Sequence, residues 1–199
     1  MGRILELIFT ISILILTFPL WIAIGILIKL ESKGPVFFTQ ERIGKDLKIF
    51  KIYKFRTMYV DQEGRLNEYL EKNSFAKKEW ETFRKLKSFD PRITKIGKIL
   101  RKFSLDELPQ ILNVIKGEMG LVGPRPYLKE EIHYIPKEYY EIFKVKPGIT
   151  GPWQTGGRNK IKFNERIKIE RDYVRNRNFL RDFSYLFKTI NSIVNGDGI

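Results

Sequence analysis

Two adjacent acids, Asp106 and Glu107, come just after a basic cluster of Lys98, Arg101 and Lys102. An ionised aspartate beside cations can attack phosphorus or hold Mg²⁺, so this pairing points to phosphate chemistry. The same stretch, Ser104-Leu105-Asp106-Glu107-Leu108-Pro109-Gln110, has the Ser-x-x-Glu spacing of a capping box, in which both side chains only close a helix start. Pro109 counts against that bland role, because it lacks an N–H where an intrahelical donor is already needed. An irregular turn is expected. At a helix start Asp106 sits near the positive end of the macrodipole and close to arginines, which favours its ionised form. On a regular helix Glu107 points roughly 100° away, so the pair can serve two neighbouring partners.

Other chemistries are excluded or weak. The chain has no cysteine and His133 is its single histidine, so disulfides and a cysteine- or histidine-built zinc site are ruled out, and any metal must be oxygen-bound. Neither GxxxxGK[ST] nor GxGxxG occurs, and GxSxG is absent. Gly117-x-x-Gly120-x-x-Gly123 reads as a turn, and His133 as a surface or partly buried structural residue. A net charge of +14 over 199 residues calls for an anionic partner: nucleic acid, acidic lipid headgroups or a nucleotide diphosphate.

The elements that must position the acids follow from patterning. Gly34 to Met58 holds two β-rich pieces around a Gly-containing turn, a hairpin delivering Lys54 and Arg56 at its end. Asp61 to Phe89 reads as charged helix, with Leu66, Tyr69, Leu70, Trp80, Phe83 and Leu86 inward, ended by Asp90-Pro91. Ile93 to Lys102 is a short basic segment, and a helical pattern runs from the acids through Ile115 to a stop at Gly117. Gly120 to Pro126 and Pro147 to Arg158 read as loops supplying Arg125 and Arg158. Phe179, Phe183, Leu186, Phe187, Ile190, Ile193 and Val194 mark an amphipathic helix ending at Gly196. Its ordinary role is core-facing; lying in a membrane interface is the alternative.

Leu7 to Ile28 carries no charged residue, and fifteen of its positions are Leu, Ile or Phe. At roughly −0.3 to −0.6 kcal/mol each, these favour membrane insertion by about −4 to −9 kcal/mol. The run is too long for a typical signal-peptide core, and no small-residue cleavage site follows it. Pro19 predicts a kink. By length the segment can span a bilayer core; a helix, break, helix hairpin entering and leaving by one face is the other reading, with Ser12 or Thr17 offering hydroxyls at the break. Physics alone favours spanning.

The motifs KFRTM (Lys54 to Met58), DPRIT (Asp90 to Thr94), LRKFSLDELPQ (Leu100 to Gln110), NVIKGEMGLVGPRP (Asn113 to Pro126) and KPGITG…GRN (Lys146 to Asn159) occur in this order. Together they resemble the bacterial sugar transferases, the monotopic phosphoglycosyl transferases, and most closely the catalytic part of undecaprenyl-phosphate galactose or glucose phosphotransferases. The resemblance implies a mainly α, α+β fold: a re-entrant membrane helix with its break at Pro19 (residues 1–33), then a cytoplasmic catalytic domain (34–199) with interfacial amphipathic helices. It implies transfer of a sugar 1-phosphate from a UDP-sugar, UDP-galactose or UDP-glucose, to undecaprenyl phosphate with release of UMP, initiating glycan assembly. It makes Asp106 the nucleophile, Glu107 its dyad partner, and both of them Mg²⁺ ligands. Arg101, Arg125 and Arg158, then Lys54 and Arg56, take the phosphates, and their fork geometry suits that task. The implied setting is the cytoplasmic face of a bacterial inner membrane, among its lipids, with no nucleic acid partner and room for a homodimer. Two features depart from the family: extra N-terminal helices and a further domain of many relatives are not present in this sequence, and Phe18-Pro19 stands where Ser-Pro is common. Pro152 and Gly156 also vary a loop near the substrate, which leaves the sugar open.

Overall fold

The apolar run forms one long helix, α1 (Arg3–Glu31), in the computed structural model, which describes residues 2–83, 86, 89–157 and 161–196. Its 29 residues at about 1.5 Å each make it roughly 43 Å long. The helical backbone is continuous through Pro19. Two residues earlier the Thr17 hydroxyl donates to the Ile13 carbonyl at 2.7 Å and accepts from Trp21 Nε1 at 3.2 Å. Thr10, Trp21, Ile24 and Ile28 form a buried stripe, while Leu5, Leu16, Phe18, Ile22 and Leu30 are among the exposed apolar residues on the other faces.

Both ends of α1 are tied to the body. Arg3 Nη2 donates to the carbonyls of Val114 and Ile115, and Glu6 Oε1 accepts the Leu121 N–H at 3.0 Å. At the other end Glu31 accepts the N–H groups of Lys95 and Ile96 at 2.6 and 2.9 Å.

The expected hairpin is present: β1 (Phe37–Ile43) pairs antiparallel with β2 (Ile49–Phe55) in the register Phe38 to Lys54. Gly44 faces Lys48 across the tip, leaving a three-residue loop in which Asp46 and Leu47 take the left-handed conformation at φ 55° and 60°. The expected helix over Asp61 to Phe89 divides into α2 (Gln62–Lys72) and α3 (Ser74–Phe83). Asn73 causes the break: it ends α2 in extended conformation, and its Oδ1 accepts the Ala76 N–H at 3.0 Å to start α3. Leu66, Ala76 and Leu86 form the buried centre of this unit, with Tyr69, Leu70 and Trp80 against it, as the spacing predicts. The Phe83 side chain lies outside the described residues.

The basic segment is α4 (Lys95–Lys102), capped by Thr94, and the acid-bearing turn is a 3-10 segment (Leu105–Gln110) leading into α5 (Ile111–Lys116). Gly117 stops α5 at φ 82°. Two stretches read as loops contain strands: β3 (Gly120–Val122) and β4 (Gly148–Thr150) pair in parallel. Each has only three residues, too few for a period-2 signal. Their glycines are there for closeness: a Cβ on Gly148 would stand 2.0 Å from the Gly123 nitrogen. The short helix α6 (Pro152–Thr155) follows, and α7 (Phe163–Arg175), which the sequence reading passed over, buries Ile167, Glu170 and Tyr173.

The last helix, α8 (Phe179–Asn195), ends at Gly196 as expected, but its orientation corrects the core-facing reading. Phe179, Leu180, Phe183, Phe187, Ile190 and Val194 are 56% to 77% exposed. The inward stripe is partly polar: buried Asp182 accepts the Tyr173 hydroxyl at 2.5 Å, and Thr189 meets Thr150 at 2.5 Å, beside the packed Tyr185 and Leu186. These bonds turn the apolar stripe outward.

The main core joins β2 to β3 and α7 through Phe50, Ile52, Val114, Met119, Leu121 and Tyr173. A second core packs Trp21, Ile24 and Ile28 of α1 on Phe55, Leu100 and Ile111. Asn113, fully buried, joins the layers: its Oδ1 accepts the Tyr53 N–H, and its Nδ2 donates to Lys51 O and to Glu118. It thus acts as a surrogate strand along β2.

Candidate active site

The end of β2, the acid-bearing turn and the Gly-Pro loop after β3 converge on one cavity of about 670 Å³. Lys54, Arg56, Arg101, Asp106, Glu107 and Arg125, far apart in sequence, all line it. Arg158 lies outside the described residues. Pro19 is in α1 and does not line the cavity, and exposed His133 sits apart in a 3-10 turn (Glu130–Tyr134).

The dyad turn is irregular, as Pro109 required. Ser104 takes the left-handed conformation at φ 54° and makes no capping hydrogen bond through its side chain, so the capping-box reading fails. Instead Glu107 Oε1 accepts from Lys54 Nζ at 2.7 Å, and the same ammonium lies 3.9 Å from Asp106 Oδ2. One lysine from the hairpin therefore serves both carboxylates.

Burial makes Asp106 harder to ionise than its sequence neighbours alone suggest. Desolvation pushes its carboxyl up to about 6; Lys54 opposes this, Glu107 adds to it and Arg101 opposes it. A buried carboxylate held between neutral and ionised near physiological pH is suited to covalent work or to a cation.

The arginines are held differently. Arg101 Nε donates to Thr57 Oγ1 at 2.9 Å, which braces its guanidinium beside the dyad. Arg56 commits its Nε to the Pro35 carbonyl and both Nη atoms to Ser32, so it clamps the exit from α1 while lining the cavity. Arg125 stacks its guanidinium on Trp153 at 4.5 Å, and its buried Nε has no hydrogen-bond partner among the described residues.

The same cavity also has a large apolar lining. Phe9 and Ile13 come from α1, Phe37 and Phe38 from β1, and Leu186, Ile190 and Ile193 from α8. The sequence reading did not place these residues at a site. Their apolar periodicity marked helices and a strand but carried nothing about which helices would meet.

Residues 1–196 match the family model described as bacterial sugar transferase. The chain belongs to the bacterial sugar transferase family. This sugar transferase is an enzyme of the phosphoglycosyl transferase type that its motifs imply. It is 40% identical over 191 residues to the exopolysaccharide production protein ExoY of Sinorhizobium fredii, covering 96% of this chain and 84% of that protein. It is 40% identical over 198 residues to the UDP-galactose-lipid carrier transferase of Erwinia amylovora. It is also 39% identical to the undecaprenyl-phosphate galactose phosphotransferase of Salmonella typhimurium. Those two matches cover the whole of this transferase but 41% of each relative's length.

Proposed function

We propose that the enzyme transfers a sugar 1-phosphate from a UDP-sugar to undecaprenyl phosphate and releases UMP, starting a polysaccharide or glycoconjugate. The observation that carries this reading is the mixed lining of one cavity: Lys54, Arg101, Asp106, Glu107 and Arg125 share it with Phe9, Phe37, Ile190 and Ile193. A lipid phosphate needs such a site, with cations for its head and apolar surface for its tail. Relatives named for UDP-galactose and for undecaprenyl phosphate support the same donor and acceptor classes.

In this mechanism Asp106 attacks the sugar-bearing phosphorus, its carboxylate oxygen forming a bond to phosphorus as the bond to the UMP oxygen breaks. UMP leaves with that electron pair. The phosphate of the lipid then attacks the aspartyl phosphosugar, forming the lipid diphosphate sugar and regenerating the carboxylate. Using one site twice avoids holding two anionic substrates together. Lys54, shared by both acids, holds Glu107 in place and steadies charge on Asp106.

The acids also fit Mg²⁺. Among the described residues no three His, Cys, Asp or Glu side chains form a cluster, and Mg²⁺ typically takes one or two carboxylates and completes its shell from phosphates and water. Asp106 and Glu107 would hold it, and bound there it would offset charge on the donor diphosphate.

The exposed faces of α1 and α8 fit a lipid surround, and the ties at both ends of α1 support a helix that keeps both ends at one membrane face. A spanning helix carries its first turn about 30 Å across the apolar core from its last. Here Arg3, Glu6 and Glu31 all hold the same body. The reading places that body on the cytoplasmic side, where UDP-sugars are made.

The test is incubation with a panel of UDP-sugars, undecaprenyl phosphate and Mg²⁺, read as UMP release. Asp106→Asn should abolish release while leaving the thermal midpoint near wild type. With radiolabelled donor and no lipid, label should remain on a peptide containing Asp106. An active Asp106→Asn enzyme, or wild-type turnover that never labels protein under quench, overturns the covalent mechanism.

A further inference from the structure

Glu170 is fully buried on α7, and no step above uses it. Its Oε1 accepts the backbone N–H of Arg125 at 3.0 Å, and its Oε2 accepts the Tyr127 hydroxyl in a very short bond. The two residues flanking Pro126 are thus pinned by one carboxylate. Other contacts complete the clamp: Arg42 Nη1 donates to the Pro126 carbonyl at 3.3 Å, and the Ile43 N–H donates to the Tyr127 carbonyl at 2.8 Å. The backbone at Arg125 therefore has little freedom, set between two prolines and fastened on both sides.

What this fixed backbone presents is the Arg125 guanidinium, on the face of Trp153 at the cavity edge, with a buried and unpartnered Nε. A carboxylate is an expensive way to close a loop, since burial disfavours its charge, and here burial pushes Glu170 up to about 7. A leucine would fill the space at lower cost but leave the Arg125 N–H without an acceptor.

We propose that Glu170 is a positioning residue: by accepting the Arg125 N–H and the Tyr127 hydroxyl, it sets where the Arg125 guanidinium stands for a diphosphate in the cavity. This rests on the donor reading above for its biological meaning, but its test does not require turnover. The groups facing Glu170 are the Tyr127 hydroxyl and the cations Arg125 and Arg166; the Arg166 guanidinium lies over the Tyr127 ring at 4.6 Å and donates to Glu131 at 3.1 Å.

The experiment measures affinity for inorganic diphosphate by calorimetry in the full-length enzyme, alongside UMP release from UDP-sugar. Glu170→Leu should weaken diphosphate binding about tenfold, the scale of one well-placed charged hydrogen bond. Glu170→Gln should stay within about twofold, because the amide oxygen still accepts the Arg125 N–H. In an Arg125→Ala background Glu170→Leu should add no further loss, since two residues acting through one contact are not additive. Should Glu170→Leu fail to fold, Tyr127→Phe, which removes one anchor and leaves the carboxylate, should show a smaller loss with the same non-additivity. A lower melting temperature with unchanged diphosphate affinity overturns the proposal, as does a loss that persists without Arg125. Diphosphate binding as expected with no UMP release from any UDP-sugar sinks the donor reading and leaves the positioning role intact.

Discussion

Glu6, in the first turn of α1, accepts the backbone N–H of Leu121 in β3 at 3.0 Å. The contact is close enough that a Cβ on neighbouring Gly120 would stand 3.1 Å from the same carboxylate oxygen. Helix α1 therefore ties to the edge of a sheet whose Leu121 lines the cavity. Glu6→Ala should cost about 1–3 kcal/mol by stranding a buried N–H, seen as a lower thermal midpoint in detergent.

The same contact predicts topology. The chain has no native cysteine, so Gly2→Cys and Ser32→Cys can be labelled singly. Neither should react with an impermeant thiol reagent outside intact cells, and both should react after lysis. Labelling of Gly2→Cys from outside would mean that α1 spans the membrane and that the tie between Glu6 and Leu121 does not exist there.

Asp106 must be ionised to attack, and burial holds its carboxyl up near about 6. Donor kcat/KM should therefore rise with pH through that value and level off above it, falling about tenfold per pH unit on the acid side. Saturating Mg²⁺ should move the midpoint lower by favouring the carboxylate. A profile flat from about pH 5 to about pH 8, a range that brackets the expected midpoint, would assign the nucleophile to another group.

Gly97 on α4 packs so closely on the hairpin exit that a Cβ there would stand 2.1 Å from the Thr57 carbonyl oxygen. Gly97→Ala should cost about 1–3 kcal/mol and lower activity, because the shift moves the Arg101 guanidinium off Thr57. Gly25→Ala is the control. Its added Cβ meets Val36 at 3.6 Å, an ordinary contact, and its thermal midpoint should stay close to wild type.

Leu47 holds φ 60° at the tip of the β1–β2 hairpin, where a side chain is strained. Leu47→Gly should stabilise the protein by about 1 kcal/mol, with UMP release unchanged because the tip does not line the cavity. A loss of stability would show that the half-exposed leucine side chain contributes more than its backbone costs.

Local chemistry was legible in the sequence by itself. The charge-free run from Leu7 to Ile28, the hairpin ending at Lys54, the stop at Gly117 and the irregular turn at Pro109 each depend on interactions a few residues apart. The ordered motifs carried the family for the same reason, since they keep particular residues at particular places along the chain. Tertiary structure decided whatever depends on which surfaces meet. Asp106 is expected to be firmly ionised when only its own helix start and nearby arginines are considered; burial weakens that preference by raising its carboxyl to about 6. The stripe on α8 looks core-facing until Asp182 meets Tyr173 and Thr189 meets Thr150, which rotates the apolar side outward. The β3–β4 pair is too short to announce itself, and Glu170 gives no sign of its task, because its partners Arg125 and Tyr127 lie more than forty positions away. Hydrogen bonds and burial act over ångströms, and only the folded chain brings those residues within that range.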